Sequence, residues 1–210
     1  DRMNIKGLLA IAASACMVVL PQASVAGKGF EYTYVDAGYR GIRADSIDAD
    51  GVAFNLSFGA TDHFMVLASY SHLWQDKATG FTDVDVKIDE FKIGGGGHYS
   101  FGDSFDLVGS IVYVTDKSTG DAVQDGNDFT SNIKGSSEGF EAAVYGRWQA
   151  LDKLELDPIL IYRDVGSDSD TGIGANVIYN FHKKWSFLGN ATYFSDDSAT
   201  NLFLGVRLEM

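Results

Sequence analysis

From residue 30 onward, apolar side chains alternate with polar or small ones in stretch after stretch. That two-residue period is a strand's, and no segment sustains the 3.6-residue period of an amphipathic helix. The alternation predicts ten strands, near residues 30–39, 52–59, 64–74, 84–101, 105–115, 138–149, 154–165, 171–181, 185–195 and 201–210. Eight is the alternative count, should the first or seventh be misread. Short connections at 60–63, 102–104, 150–153 and 182–184 alternate with longer Asp- and Gly-rich ones at 41–51, 75–83, 116–137, 166–170 and 196–200. Hairpins joined in this way predict an all-β, closed antiparallel up-and-down barrel, with tight turns at one end and long loops at the other.

Which row of each strand is apolar decides what surrounds the barrel. In nine strands one row carries no charge, as in Val52, Phe54, Leu56 and Phe58, or Phe140, Ala142, Val144, Gly146 and Trp148. The opposite row holds Glu90, Lys92, Glu141, Arg147, Glu155, Asp157, Arg163, Arg207 and Glu209, a lumen charge network if the apolar row faces lipid. Met65, Leu67, Val108, Val112, Ile159 and Ile161 share that inner row, so a filled interior is expected rather than a wide channel. Only the first strand breaks the pattern. Glu31 and Asp36 fall on opposite faces, which predicts a bulge or a displaced boundary.

The aromatic residues point the same way. Phe58, Phe64, Phe101, Phe105, Trp148, Phe181 and Trp185 lie within a few residues of the short turns; Trp74, Tyr113, Tyr162 and Tyr193 lie at the other strand ends. Eight to ten residues separate the two groups, roughly 20–25 Å across a membrane for strands tilted near 40°. Two such membrane girdles suit a transmembrane barrel and are hard to obtain in a soluble sandwich.

Composition narrows the picture further. Met3, Lys6, an apolar run over 7–20, Pro21 and the small residues Ser24, Val25 and Ala26 read as a secretory signal peptide over 1–26, leaving one barrel domain over 27–210. The chain carries a net charge of −13; residues 1–26 contribute +1 through Asp1, Arg2 and Lys6, so the remainder carries −14. So acidic a protein lacks the basic face that nucleic acid requires. The single cysteine, Cys16, falls in the signal, so no disulfide is expected beyond it. A lipidated Cys16 is the rival reading, disfavoured by the apolar residues 17–20 that would begin such a lipoprotein.

Three stretches carry a family likeness: Tyr32-Thr33-Tyr34-Val35-Asp36-Ala37-Gly38-Tyr39, the turn and strand from Ala60-Thr61-Asp62-His63-Phe64 to Tyr70, and Phe203-Leu204-Gly205-Val206-Arg207. With them the chain resembles the small outer-membrane β-barrel proteins of proteobacteria, in the opacity-like and porin-like grouping. The resemblance implies a place in the outer membrane of a Gram-negative envelope, among outer-membrane lipid and lipopolysaccharide. It also implies a C-terminal strand recognised by the barrel-assembly machinery. Leu202, Leu204, Val206 and Leu208 match that signal, while Met210 stands where an aromatic residue is usual.

Candidate chemistry is sparse. Gly94 to Gly97 lacks the Lys-Ser or Lys-Thr and the helix that a phosphate cradle needs, and reads as strand glycines. His98 and Ser100 share the lumen side, a pair that acyl transfer would use, but their own strand offers no evident carboxylate partner. They read as lumen hydrogen-bonding groups. His63, His72 and His182 show no metal-ligand spacing. Asp48 and Asp50, Asp83 and Asp85, and Asp168 and Asp170 offer hard oxygens to divalent cations, without a full calcium-loop spacing. Pro158 is expected near a strand end, because a closed barrel uses its backbone N–H groups. No cofactor is implied. The leading expectation is a non-enzymatic envelope protein displaying acidic loops. A narrow solute pore and a lipid-modifying enzyme built on His98 are the alternatives.

Overall fold

The computed structural model describes residues 30–44, 48–79, 82–124, 130–196 and 198–210. Residues 1–29 lie outside this set, and with them the expected signal peptide. Ten strands run in chain order: β1 Tyr34–Arg43, β2 Asp48–Gly59, β3 Phe64–Thr79, β4 Thr82–Ser100, β5 Phe105–Gln124, β6 Thr130–Leu151, β7 Leu154–Val165, β8 Asp168–His182, β9 Trp185–Phe194 and β10 Ala199–Glu209. Each pairs antiparallel with its sequence neighbours, and β1 pairs with β10 from Tyr34↔Glu209 to Arg43↔Thr200, closing the barrel. Closure leaves the membrane-embedded part without an unpaired edge, as a bilayer requires. The count is ten, not eight. No described helix is long and apolar enough to cross a membrane; the chain crosses with strands.

The alternation sorts the side chains as a lipid solvent demands. Phe54, Val144 and Val206 are exposed on the outside, whereas Lys92, Arg147 and Arg207 are each 1% exposed inside. The outward face is a continuous sheath of Phe, Leu, Ile, Val and Tyr, far larger than the apolar patches that water tolerates.

Three local expectations are corrected. The first strand begins at Tyr34, not at residue 30: residues 30–33 turn into the mouth beside the short turns, where Phe30 and Tyr32 are buried. Hydrogen bonds from Ser57 Oγ to the Tyr32 carbonyl and from Met210 N to the Thr33 carbonyl hold them there. Glu31 therefore precedes the strand and breaks no alternation within it.

The long segments expected over 75–83 and 116–137 are mostly paired strand. β3 and β4 pair out to Thr79↔Thr82, and β5 and β6 out to Val123↔Thr130. The inward row there carries polar Gln75, Asp116 and Ser118 in place of apolar residues, so backbone pairing continues after the apolar signal has stopped. Pairing also extends into 41–51, 166–170 and 196–200. At Gly166 the backbone adopts φ +73°, a conformation that glycine takes without strain, and it opens the two-residue turn between Val165 and Asp168.

Pro158 lies inside β7, not at an end. The β6–β7 ladder pairs Tyr145↔Ile159 and Trp148↔Leu156 but skips the positions between, while Pro158 still pairs with Ala175 of β8. The missing N–H thus faces a gap in the ladder. Phe105 fills this region from outside: a Cβ on Gly146 would meet its ring at 2.8 Å.

Because β3 to β6 are the longest strands, the barrel rim is oblique and one wall stands tall. β5 continues from Tyr113 to Gln124, up to about 30 Å beyond the outer aromatic level.

Candidate functional site: the filled lumen

Inward positions separate into two ionic clusters with apolar layers around them. The outer cluster is built on β1, β3, β4, β5, β6 and β7. Arg163 is its hub: Nη1 lies 3.0 Å from Glu90 Oε2 and 3.4 Å from Glu141 Oε2, and Nη2 lies 2.7 Å from Asp116 Oδ2. Arg40 Nη1 donates to Glu90 Oε1 and to Ser71 Oγ, both at 2.8 Å. Lys92 Nζ lies 2.8 Å from Glu141 Oε2 and 3.6 Å from Glu90 Oε1. Three cations face three carboxylates, so the cluster is neutral as a unit. Burial disfavours any charge left alone, and mutual pairing offsets that cost.

The inner cluster lies near the short turns. Arg207 grips Asp36 with two hydrogen bonds of 2.8 and 3.0 Å, and its guanidinium lies 3.4 Å from the centre of the Tyr34 ring. Arg147 donates to Glu155 and lies 4.3 and 5.0 Å from the Phe30 and Tyr32 ring centres. Asp157 accepts from Asn176 at 3.3 Å, and Asn176 in turn accepts from Asn190 at 2.6 Å. Glu209 is half-buried at the end of β10 and joins no ion pair among the described residues.

Between the clusters lie Met65, Leu67, Val108, Val112, Ala143, Tyr145, Ile159 and Ile161, all buried. Beyond the outer cluster, Ile42, Leu73, Ile88, Val165 and Phe194 make a further apolar layer. Glycine allows this filling. A Cβ on Gly94 would sit 2.2 Å from the Ile111 carbonyl oxygen, so β4 and β5 approach too closely there for any side chain.

Sequence reasoning named most of these charges but missed Asp36, Arg40, Asp106 and Asp116. Asp36 was set aside with the irregular first strand, and Arg40 and Asp116 fell just beyond expected strand ends. Parity was the available signal: Tyr34, Asp36 and Arg40 share one row, as do Asp106, Val108, Val112 and Asp116.

The histidine region differs from its sequence reading. β5 supplies the carboxylate partner: Asp106 Oδ2 lies 3.4 Å from His98 Nδ1. Tyr32, however, stacks on the imidazole at 3.8 Å and donates its hydroxyl to the same carboxylate. The His63 ring lies 6.0 Å from that of His98, two histidines that sequence spacing kept apart. Ser100 is exposed, and among the described residues no hydrogen bond joins it to His98. The group therefore lacks the nucleophile–base contact of acyl transfer.

Two of the three acidic pairs are engaged in the fold. Asp48 and Asp50 lie 3.7 and 2.7 Å from Arg43 nitrogens. Asp170 Oδ1 accepts from the N–H groups of Thr171 and Asp196. Asp83 lies outside the side chains described, and no group of three metal-ligating residues occurs among those that are.

On the outside, Phe58, Phe64, Phe101, Trp148, Phe181 and Trp185 are exposed near the short turns, as are Trp74, Tyr113, Tyr162 and Tyr193 towards the other end. Phe105 is half-buried in the gap at Gly146.

An apolar exterior, a closed ladder and ionic groups enclosed at the axis define the class: an integral β-barrel protein of the bacterial outer membrane. No protein-family model matches the chain, and no curated protein matches it. Among solved structures, it is similar to the translocator domain of the autotransporter NalP from Neisseria meningitidis. The identity is 11% over 88% of this chain and 90% of that one, with a TM-score of 0.50. The outer membrane protein OprG from Pseudomonas aeruginosa gives 12% identity, 88% and 99% coverage and a TM-score of 0.49. The attachment invasion locus protein Ail of Yersinia pestis gives 11%, 85% and 97%, and 0.46. At such identities the likeness is one of fold.

Proposed function

We propose that the protein is a filled, non-conducting and non-enzymatic barrel that stabilises the envelope and presents its tall β3–β6 wall as an interaction surface. The observation that carries this reading is the interior. Arg40, Glu90, Lys92, Asp116, Glu141 and Arg163 neutralise one another in one layer, and apolar layers lie on either side of it. An ion crossing this lumen would have to displace paired charges and pass side chains that offer it no hydration. The wall, by contrast, extends well past the outer girdle, where contact with other molecules is unobstructed by lipid. Refolded protein in planar bilayers is expected to give no single-channel steps. Reproducible steps would overturn the filled-barrel reading in favour of a narrow pore. Removing the wall above Tyr113 is expected to abolish surface binding while the barrel still assembles; unchanged binding would overturn the display role.

A further inference from the structure

The chain is strongly acidic, yet the exposed cations at its outer end gather on one face of the wall. Lys87 of β4, Lys117 of β5 and Lys134 of β6 are all exposed and outward-facing. Register places them together. Trp74, Lys87, Thr119 and Lys134 form one row across four strands, and His72, Asp89, Lys117 and Ser136 form the row beneath. Adjacent strands lie about 4.8 Å apart, so Lys87 and Lys134 flank Thr119 at about 10 Å, with Lys117 some 6–7 Å below it. Lys117 faces Asp89 across the β4–β5 register and their charges interact, but among the described residues none of the three lysines is ion-paired within 4 Å, whereas the exposed Arg43 is held by Asp48 and Asp50.

The height of the triad is what gives it meaning. Below it come Tyr70, Phe91 and Thr115, then Ile93, Tyr113 and Phe140, continuous with the lipid-facing sheath. The carboxylates in this band are occupied from that side. Asp89 Oδ1 accepts from Tyr70 at 2.6 Å and lies 2.9 Å from His72 Nδ1; Glu138 Oε2 accepts from Tyr113 at 2.6 Å. One level above the triad Asp85 is exposed, so the band favourable to an anion is only about two residues deep. Trp74, opposite Lys87, is itself an interfacial residue type.

We infer that Lys87, Lys117 and Lys134 form a binding site for the phosphate groups of an outer-leaflet lipid whose acyl chains lie along the sheath below. Ammonium groups at headgroup height attract anionic lipid, and flexible stems let three of them converge on one phosphate or reach two. The inference rests on the orientation in which the short turns face the periplasm and the tall wall faces outside, the usual arrangement of such barrels. It does not depend on whether the lumen conducts, so bilayer conductance and lipid retention fail separately.

The test uses the refolded chain in nanodiscs containing bisphosphorylated lipid A or its dephosphorylated form. After transfer to lipid-free detergent, retained lipid is counted by native mass spectrometry, with and without EDTA. The unaltered protein is expected to retain the bisphosphorylated form at least tenfold over the other, in EDTA as well. K87Q/K117Q/K134Q is expected to lose that preference, while K87R/K117R/K134R and the periplasmic-turn control K153Q/K183Q/K184Q keep it. Heat-modifiable gel mobility verifies that each variant is folded. A glutamine triple variant that keeps the preference overturns the site, as does equal loss in the turn control. Abolition by EDTA overturns it in favour of a divalent cation bridging the lipid to carboxylates such as Asp85 and Asp89.

Discussion

Arg163 shows how much a single side chain holds in this interior, since three carboxylates on three other strands depend on it. Arg163→Met removes the cation and leaves Glu90, Asp116 and Glu141 with two partners among them. The expected loss is about 3–5 kcal/mol, the usual cost of breaking a buried pair from one side. Urea unfolding in liposomes, followed by Trp fluorescence, measures it. Arg207 and Asp36 allow a sharper comparison, because their contact is two-pronged and local. Arg207→Met alone should cost a similar amount, whereas R207M combined with D36L should recover most of it, since no charge is then left stranded. A double variant as unstable as the single would contradict this account.

At the level of elements, the close approach of β4 and β5 and the inward turn of residues 30–33 make separate predictions. Gly94→Val drives a side chain into the Ile111 carbonyl, and backbone at 2.2 Å cannot give way. That variant is expected to remain unfolded in a gel-shift refolding assay, while Gly109→Ala, with open space around its Cβ, refolds normally. The 30–33 segment is clamped by Tyr32 against His98 and Asp106 and by Phe30 against Arg147. Tyr32→Ala should therefore raise protease cleavage at the N-terminal end, whereas Tyr32→Phe keeps the stack and loses only the hydroxyl contact. Strand location was largely legible at this level, since lipid on one side and a packed lumen on the other impose strict alternation. Strand length was not legible at the tall end of the wall, because the inward row turns polar at Gln75, Asp116 and Ser118 while backbone pairing continues.

For the whole molecule, the placement of the charges separates stability from surface binding. Lumen pairs such as Lys92 with Glu141 are shielded from bulk ions, so raising salt from about 0.05 to 1 M should move the unfolding midpoint little. Lipid retention at the exposed lysines should weaken over the same range. A midpoint that falls steeply with salt would show that the lumen is wet, and would argue for conduction.

Periodicity along the chain was enough to establish an all-β barrel in a membrane. The period of two is a local property, and the segregation of Phe, Leu and Val from Glu, Lys and Arg between the two rows identifies lipid as the outer solvent. Within a strand, parity also separates a charged row from an uncharged one, though it was read only where the strand bounds were right, so Asp36, Arg40 and Asp116 escaped it. What parity cannot contain is height and partnership. Arg163 meets Glu90 across 73 residues and Arg207 meets Asp36 across 171, distances spanned only when shear and closure bring those strands to one level. The lysine face is invisible for the same reason, since three residues scattered over 48 positions become neighbours only through the registers of β4, β5 and β6.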